Sequence, residues 1–159
     1  MKPNSTRHIA AGAALLSMAL AGAAWADGAH KMVYAKELKW SDVGSLPPGA
    51  KLAVIEGPLG ESVPVTARIK FPANYQLPAH IHPHFERVTA LSGMFYMGMG
   101  EKFDAAQATM ALGPGDMMIM EPNTPHFAMT KEETIVQLHG PGPWSIVYID
   151  PADDPRKKQ

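Results

Sequence analysis

Between positions 80 and 86, His80, His82, His84 and Glu86 occur at every second residue. Alternate side chains of an extended strand share a face, so these four could converge on one spot. Neutral imidazole and carboxylate are ligands for divalent transition metals. The plain alternative is an exposed polar strand that happens to be rich in histidine. One strand also offers donors from one side only, and a closed site needs another strand folded back onto it. His126 is the candidate for that second side. It follows Gly115 to Pro125, a stretch that reads as a strand, a tight turn and the start of a returning strand. By itself, a lone histidine at a strand start would carry no such weight. The chain has no cysteine, which removes thiolate ligands, disulfides and cysteine nucleophiles together. Any metal must be held by nitrogen and oxygen.

The elements that would position these donors are short. Runs of β-type residues at 51–56, 63–71, 87–91, 94–99, 108–112, 116–120, 126–130, 134–139 and 144–149 are separated by Gly, Pro and Asn turns. Strands at this spacing with such turns are the mark of an all-β sandwich or barrel. The segment 34–40 is expected to add one edge strand, and the only helix-like piece, 102–108, is too short to organise anything. Residues 27–48 read as an N-terminal arm, 49–152 as the β domain, and 153–159 as a frayed polar tail.

Residues 1–26 read as a secretory signal peptide. Lys2 and Arg7 supply a positive start, 9–24 an alanine-rich apolar run, and Ala24-Trp25-Ala26 a cleavage site. The run is shorter than the roughly 20 apolar residues of a membrane span, so no membrane association is expected after cleavage. Cleavage before Asp27 leaves 133 residues and, because Lys2 and Arg7 leave with the leader, shifts the formal charge from −1 to −3. Such a chain has no basic field for nucleic acid or anionic lipid. A periplasmic or secreted location follows. Hydrophobic content of 46% against 18% charged residues describes a chain able to bury a core.

Both spacings resemble the cupin family. Its first motif, G-x5-H-x-H-x3,4-E-x6-G, is met by Asn74, His80, His82, Glu86 and Gly93 with every spacing kept. Its second, G-x5-P-x-G-x2-H-x3-N, is met in spacing by Gly115, Glu121, Asn123, His126 and Thr130. The likeness spans residues 52–149 and is nearest to small, single-domain secreted cupins of the ChrR-like type. Asn replaces Gly at 74 and 123, and Asn tolerates a left-handed backbone better than most residues. Proline has moved from the motif position to Pro122, and Thr130 replaces a terminal Asn.

The resemblance implies a cupin jelly-roll barrel of antiparallel strands. It also implies one divalent metal (Mn, Fe, Ni, Cu or Zn) on His80, His82, Glu86 and His126, and a homodimer. Three neutral nitrogens and one carboxylate suit those ions. They leave a formal charge of about +1, which favours an anionic small-molecule ligand. An oxygenase, decarboxylase or lyase acting on a small oxygen-rich anion is one reading; a non-catalytic binding or sensing module is the other. Catalytic residues are unassigned, with His84 and Tyr96 as candidates. His84 is read as a surface or pocket-mouth residue because Pro83 favours a bulge. Gln137 and His139 are candidates for substrate binding. The eleven methionines invite a copper-site reading, but they fall on both strand faces and read as core filler.

Overall fold

β-branched and aromatic runs bounded by Gly, Pro and Asn fold as strands because such side chains fit a pleated, half-buried surface. The computed structural model describes residues 30–158. The leader at 1–26 lies outside these, as do residues 27–29 of the arm and Gln159 of the tail. Among the described residues the strands are β1 (Ser41–Asp42), β2 (Lys51–Glu56), β3 (Pro64–Phe71), β4 (Gln76–Ile81), β5 (Glu86–Ser92), β6 (Phe95–Met99), β7 (Met110–Leu112), β8 (Met117–Met120), β9 (His126–Thr130), β10 (Thr134–Pro141) and β11 (Val147–Tyr148). All pairings are antiparallel. They make one sheet in the order β1-β2-β3-β10-β5-β8 and another in the order β11-β4-β9-β6-β7. This is the all-β jelly roll expected.

The core lies between the sheets. Alternation along β3 sends Val65, Ala67, Ile69 and Phe71 inward, and Phe71 stacks on Phe95 at 5.4 Å and meets Tyr75 at 5.1 Å between ring centroids. The methionines divide between environments: Met97 and Met120 are buried, while Met99, Met110 and Met117 are exposed. They do not gather at one point; core filling holds for Met97 and Met120 but not for the exposed ones.

Three local expectations change. The edge strand expected at 34–40 is a 3-10 turn at Ala35–Glu37, and pairing begins only at Ser41–Asp42. The segment Ala-Lys-Glu-Leu-Lys is made of helix-favouring residues without a β-branch. The helix-like stretch at 102–108 shrinks to a 3-10 turn at Ala105–Gln107, capped by Asp104. The tail is not frayed. Pro151–Asp153 and Pro155–Lys157 form two further 3-10 turns, each with an aspartate cap and proline at the first position. The repeated Asp-Pro of 150–151 and 154–155 was the available signal.

A second, smaller cluster of Ala79, Ala108 and Phe127 packs with Tyr96, Phe103 and Met129 on the other face of the five-stranded sheet. Gly98 makes room for it. A Cβ there would strike the Phe127 ring and stand 2.8 Å from the Gln107 carbonyl. Gly98→Ala is therefore expected to destabilise the protein by roughly 1–3 kcal/mol through overpacking. The readout is a lower urea midpoint at unchanged m; an unchanged midpoint would mean that Phe127 moves aside freely.

Candidate metal centre

Two left-handed turns aim the donors. Asn74 and Asn123 both adopt φ 58°, as their replacement of glycine requires. The buried Thr130 hydroxyl holds the first turn, donating to the Pro72 carbonyl at 2.7 Å and accepting the Tyr75 amide at 3.4 Å. The second turn is tied to the first motif directly, because the Asn123 amide donates to the His82 carbonyl at 2.8 Å.

His80 on β4 pairs with His126 on β9. Between Leu77 and His80 the register slips by one residue, at Pro78-Ala79, where proline has no amide to offer the ladder. The bulge lets Leu77 and His80 both face inward despite being three residues apart. β4 then ends at Ile81, and His82 to Phe85 form a connection before β5 opens on Glu86. The continuous strand expected over 80–86 does not form. Two of its donors nevertheless turn inward from the connection and the new strand: His82 and Glu86 are 6% and 5% exposed, against 2% for His80 and 1% for His126.

The three imidazoles meet, and Glu86 reaches two of them. Ring nitrogens of His80, His82 and His126 lie within 4.8 Å of one another. Glu86 places Oε1 3.5 Å from His82 Nε2 and Oε2 3.4 Å from His126 Nε2. Each imidazole has its Nδ1 against a backbone carbonyl: Pro78 at 2.7 Å for His80, Ser145 at 2.7 Å for His82, and Thr124 at 2.9 Å for His126. Such carbonyls accept a hydrogen bond from Nδ1–H, which in the neutral ring leaves Nε2 as the acceptor.

Protonation follows burial. Burial pushes His80 well below its ordinary value of 6.5, aided by the neighbouring His126 and His82 and opposed by the Pro78 carbonyl. Burial lowers His82 as well, against the pull of Glu86. For Glu86, burial alone would raise the pKa, but His82 and His126 carry it below 4.5. Near neutral pH burial thus keeps His80 and His82 neutral beside an ionised Glu86. The Nδ1 of His126 is engaged by the Thr124 carbonyl, its Nε2 stands 3.4 Å from Glu86 Oε2, and that buried oxygen has no hydrogen-bond partner. A buried carboxylate oxygen facing imidazole lone pairs is the arrangement a cation resolves. These residues fit a divalent metal.

The donors sit in a cavity of about 170 Å³. Trp144 forms part of its wall, stacked on His82 at 4.7 Å and 25°, and Gly140 lets that indole lie close, since a Cβ there would stand 3.2 Å from it. The arm contributes Val43, Ser45 and Leu46 to the lining. Two tyrosines tie it down, Tyr75 to the Pro47 carbonyl at 2.5 Å and Tyr148 to the Ser45 carbonyl at 2.8 Å.

The remaining candidates separate. His139 borders the cavity. Gln137, on the same outer face of β10 as the His139 side chain, accepts from Arg68 Nε at 2.9 Å. Tyr96 joins the outer cluster with Phe127, under the Lys131 ammonium at 4.6 Å, because it alternates with the inward Phe95 and Met97. His84 is half-buried in the connection after Pro83 and does not line the cavity. Sequence reasoning missed Trp144 and Arg156, both part of the lining; neither lies in a motif.

No family model matches the sequence, and no curated protein does. Solved structures do. The fold is similar to that of the polyketide cyclase RemF from Streptomyces resistomycificus, at TM-score 0.63 and 18% identity, covering 80% of this chain and 91% of that one. It is similar to KdgF from Halomonas sp., at TM-score 0.55 and 22% identity over 71% of this chain and 94% of that one. An RmlC-like cupin from Shewanella frigidimarina matches at TM-score 0.54 and 16% identity, over 71% and 92% of the two chains. With two antiparallel sheets around a cavity that ends in His80, His82, Glu86 and His126, this chain has the cupin jelly-roll fold.

Proposed function

We propose that this chain is a metal-binding cupin, exported through its N-terminal leader. It takes a small anionic molecule into the cavity beside a divalent transition metal held by His80, His82, Glu86 and His126. One observation carries the reading: the buried Glu86 Oε2 has no hydrogen-bond partner and faces the Nε2 of His126, whose Nδ1 is engaged by a backbone carbonyl. A bound metal would supply a Lewis acid with open positions for a ligand. The chain's own residues do the rest. Backbone carbonyls fix the three imidazoles, Trp144 shields His82 from one side, and the apolar walls exclude water. Strengthened electrostatics in such a dry space would favour oxygenase, decarboxylase or lyase chemistry.

The rival, a non-catalytic binding or sensing module, draws on the same walls. His139 borders the cavity through β10, whose alternation puts its side chain on the outer face with Gln137, and the catalytic candidates His84 and Tyr96 lie away from the cavity. Turnover assays of the metal-loaded protein with small acids separate the two readings, with ligand-induced stabilisation lacking turnover favouring the module.

Elemental analysis of the purified protein should find about one divalent ion per chain, the capacity of one four-donor site. His126→Ala should bring this to background. Glu86→Gln should weaken binding in a chelator competition by at least the roughly 10- to 100-fold that loss of an outer-shell partner costs. Full occupancy in both variants would overturn the ligand assignment.

The metal-free protein should also be acid-labile. His80 and His82 have folded pKa values below 6.5 and Glu86 below 4.5, so the folded state binds fewer protons than the unfolded one. Their contribution is complete above the unfolded values and is lost as pH falls toward the folded ones. The urea midpoint should hold down to a pH of about 6.5 and then decline, with a further loss below about 4.5. A midpoint flat from about pH 7 to pH 5 would show that the imidazoles are not held neutral by burial.

A further inference from the structure

One cation borders the cavity, and it comes from the tail. Arg156 lines the same space as His80, His82, Glu86 and His126. It is held on one edge: Nε donates to Asp154 Oδ1 at 2.7 Å, and Nη2 donates to Asp154 Oδ2 at 2.9 Å and to the Ile146 carbonyl at 3.1 Å. Asp154 is buried and its Oδ1 also accepts the Arg156 amide at 3.0 Å, so the clamp is built into the capped turn. The preceding carbonyl, that of Ser145, is the one that fixes His82. Consecutive carbonyls on one segment therefore position a metal donor and the guanidinium together. Nη1 has no protein acceptor among the described residues, and the Arg156 side chain is 44% exposed, as befits the mouth rather than the depth of the cavity.

The ligand class follows from charge, walls and size. A guanidinium edge with free N–H groups matches a carboxylate. Asp154 already balances the charge of Arg156, so the pair suits a monoanion and would repel a dianion such as a phosphate ester. Between the two ends the walls are mostly apolar, including Leu46, Leu52, Val65, Ile69, Phe95 and Leu138. Ser45, Ser145 and His139 are the polar lining residues besides the donors and Arg156. An oxygen-rich body would lose its hydration there without replacement. A cavity of about 170 Å³ is also smaller than the roughly 300–1,000 Å³ of drug-sized sites.

We propose that Arg156 is a specificity-determining residue that anchors the carboxylate of a small monocarboxylic acid at the cavity mouth. The acid's apolar body extends between the walls toward the metal centre. The inner end of this inference rests on the metal-binding reading; the outer end does not.

The test is calorimetric titration of the full metal-loaded protein with butanoate, pentanoate and hexanoate, each against its neutral amide. A charge-assisted hydrogen-bonded contact predicts that the best-fitting acid binds about tenfold or more tighter than its amide. Arg156→Gln should abolish that ratio. Arg156→Lys, which keeps the charge but not the fork, should retain part of it and serves if the first variant is unstable. His126→Ala should leave the ratio intact, because the carboxylate is not on the metal. Four results overturn the proposal: no acid binds; acid and amide bind alike; the ratio survives Arg156→Gln while melting falls, which makes the residue a tail clamp; or the ratio is lost in His126→Ala and kept in Arg156→Gln, which puts the carboxylate on the metal. Absence of metal from the wild type would sink the metal-binding reading while leaving the Arg156 ratio measurable.

Discussion

A buried carboxylate stands 3.4–3.5 Å from two imidazoles inside this barrel, a third imidazole lies beside them, and one carboxylate oxygen has no hydrogen-bond partner. In water such groups would be hydrated separately. Here burial removes the water, and the backbone carbonyls of Pro78, Ser145 and Thr124 remove the option of turning an N–H inward. The protein thereby concentrates negative potential at one point of an otherwise apolar interior. Leaving polar atoms unmatched costs stability on the order of 1–3 kcal/mol for each group, and a fold retains such a cost where a cation offsets it. Much of the remaining architecture is in service of that point.

Positioning is achieved by backbone devices more than by side-chain contacts. The bulge at Pro78-Ala79 brings His80 to the inner face, the left-handed Asn74 and Asn123 turn the chain into β4 and β9, and the Asn123 amide locks the second turn to the carbonyl of His82. Thr130 stands where the cupin motif has asparagine, yet it performs a turn-holding task through its hydroxyl. Departures from the motif fall at positions whose role is conformational. The donors themselves are all present.

The two ends of the chain complete the cavity that the barrel alone would leave open. Residues of the arm supply part of the lining and are secured by tyrosine hydroxyls, and the tail is wound into capped turns that bring Arg156 to the same space. Ser145 and Ile146 connect the tail to the metal donors through adjacent carbonyls. The ligand-facing chemistry is thus divided: the strands provide the inner donors, while the termini provide the wall and the outer charge.

The sequence by itself determined the all-β class, most strand positions and the four converging donors. These depend on local pattern: alternation sets a strand's two faces, Gly, Pro and Asn mark its ends, and the spacing of His80, His82, Glu86 and His126 is conserved in register by the turns between them. It also indicated that Asn74 and Asn123 would be left-handed, since few other residues replace glycine there. Only the tertiary structure decided which face Tyr96 presents, because its sheet is packed on both sides and gives inward and outward residues similar apolarity. Gln137, by contrast, alternates with the buried Val136 and Leu138 beside Arg68 on a polar outer face. The break at His82, the demotion of His84 and the recruitment of Trp144 and Arg156 likewise depend on contacts across 60 or more residues, such as the 63-residue separation of His82 from Ser145. No local pattern encodes contacts of that span.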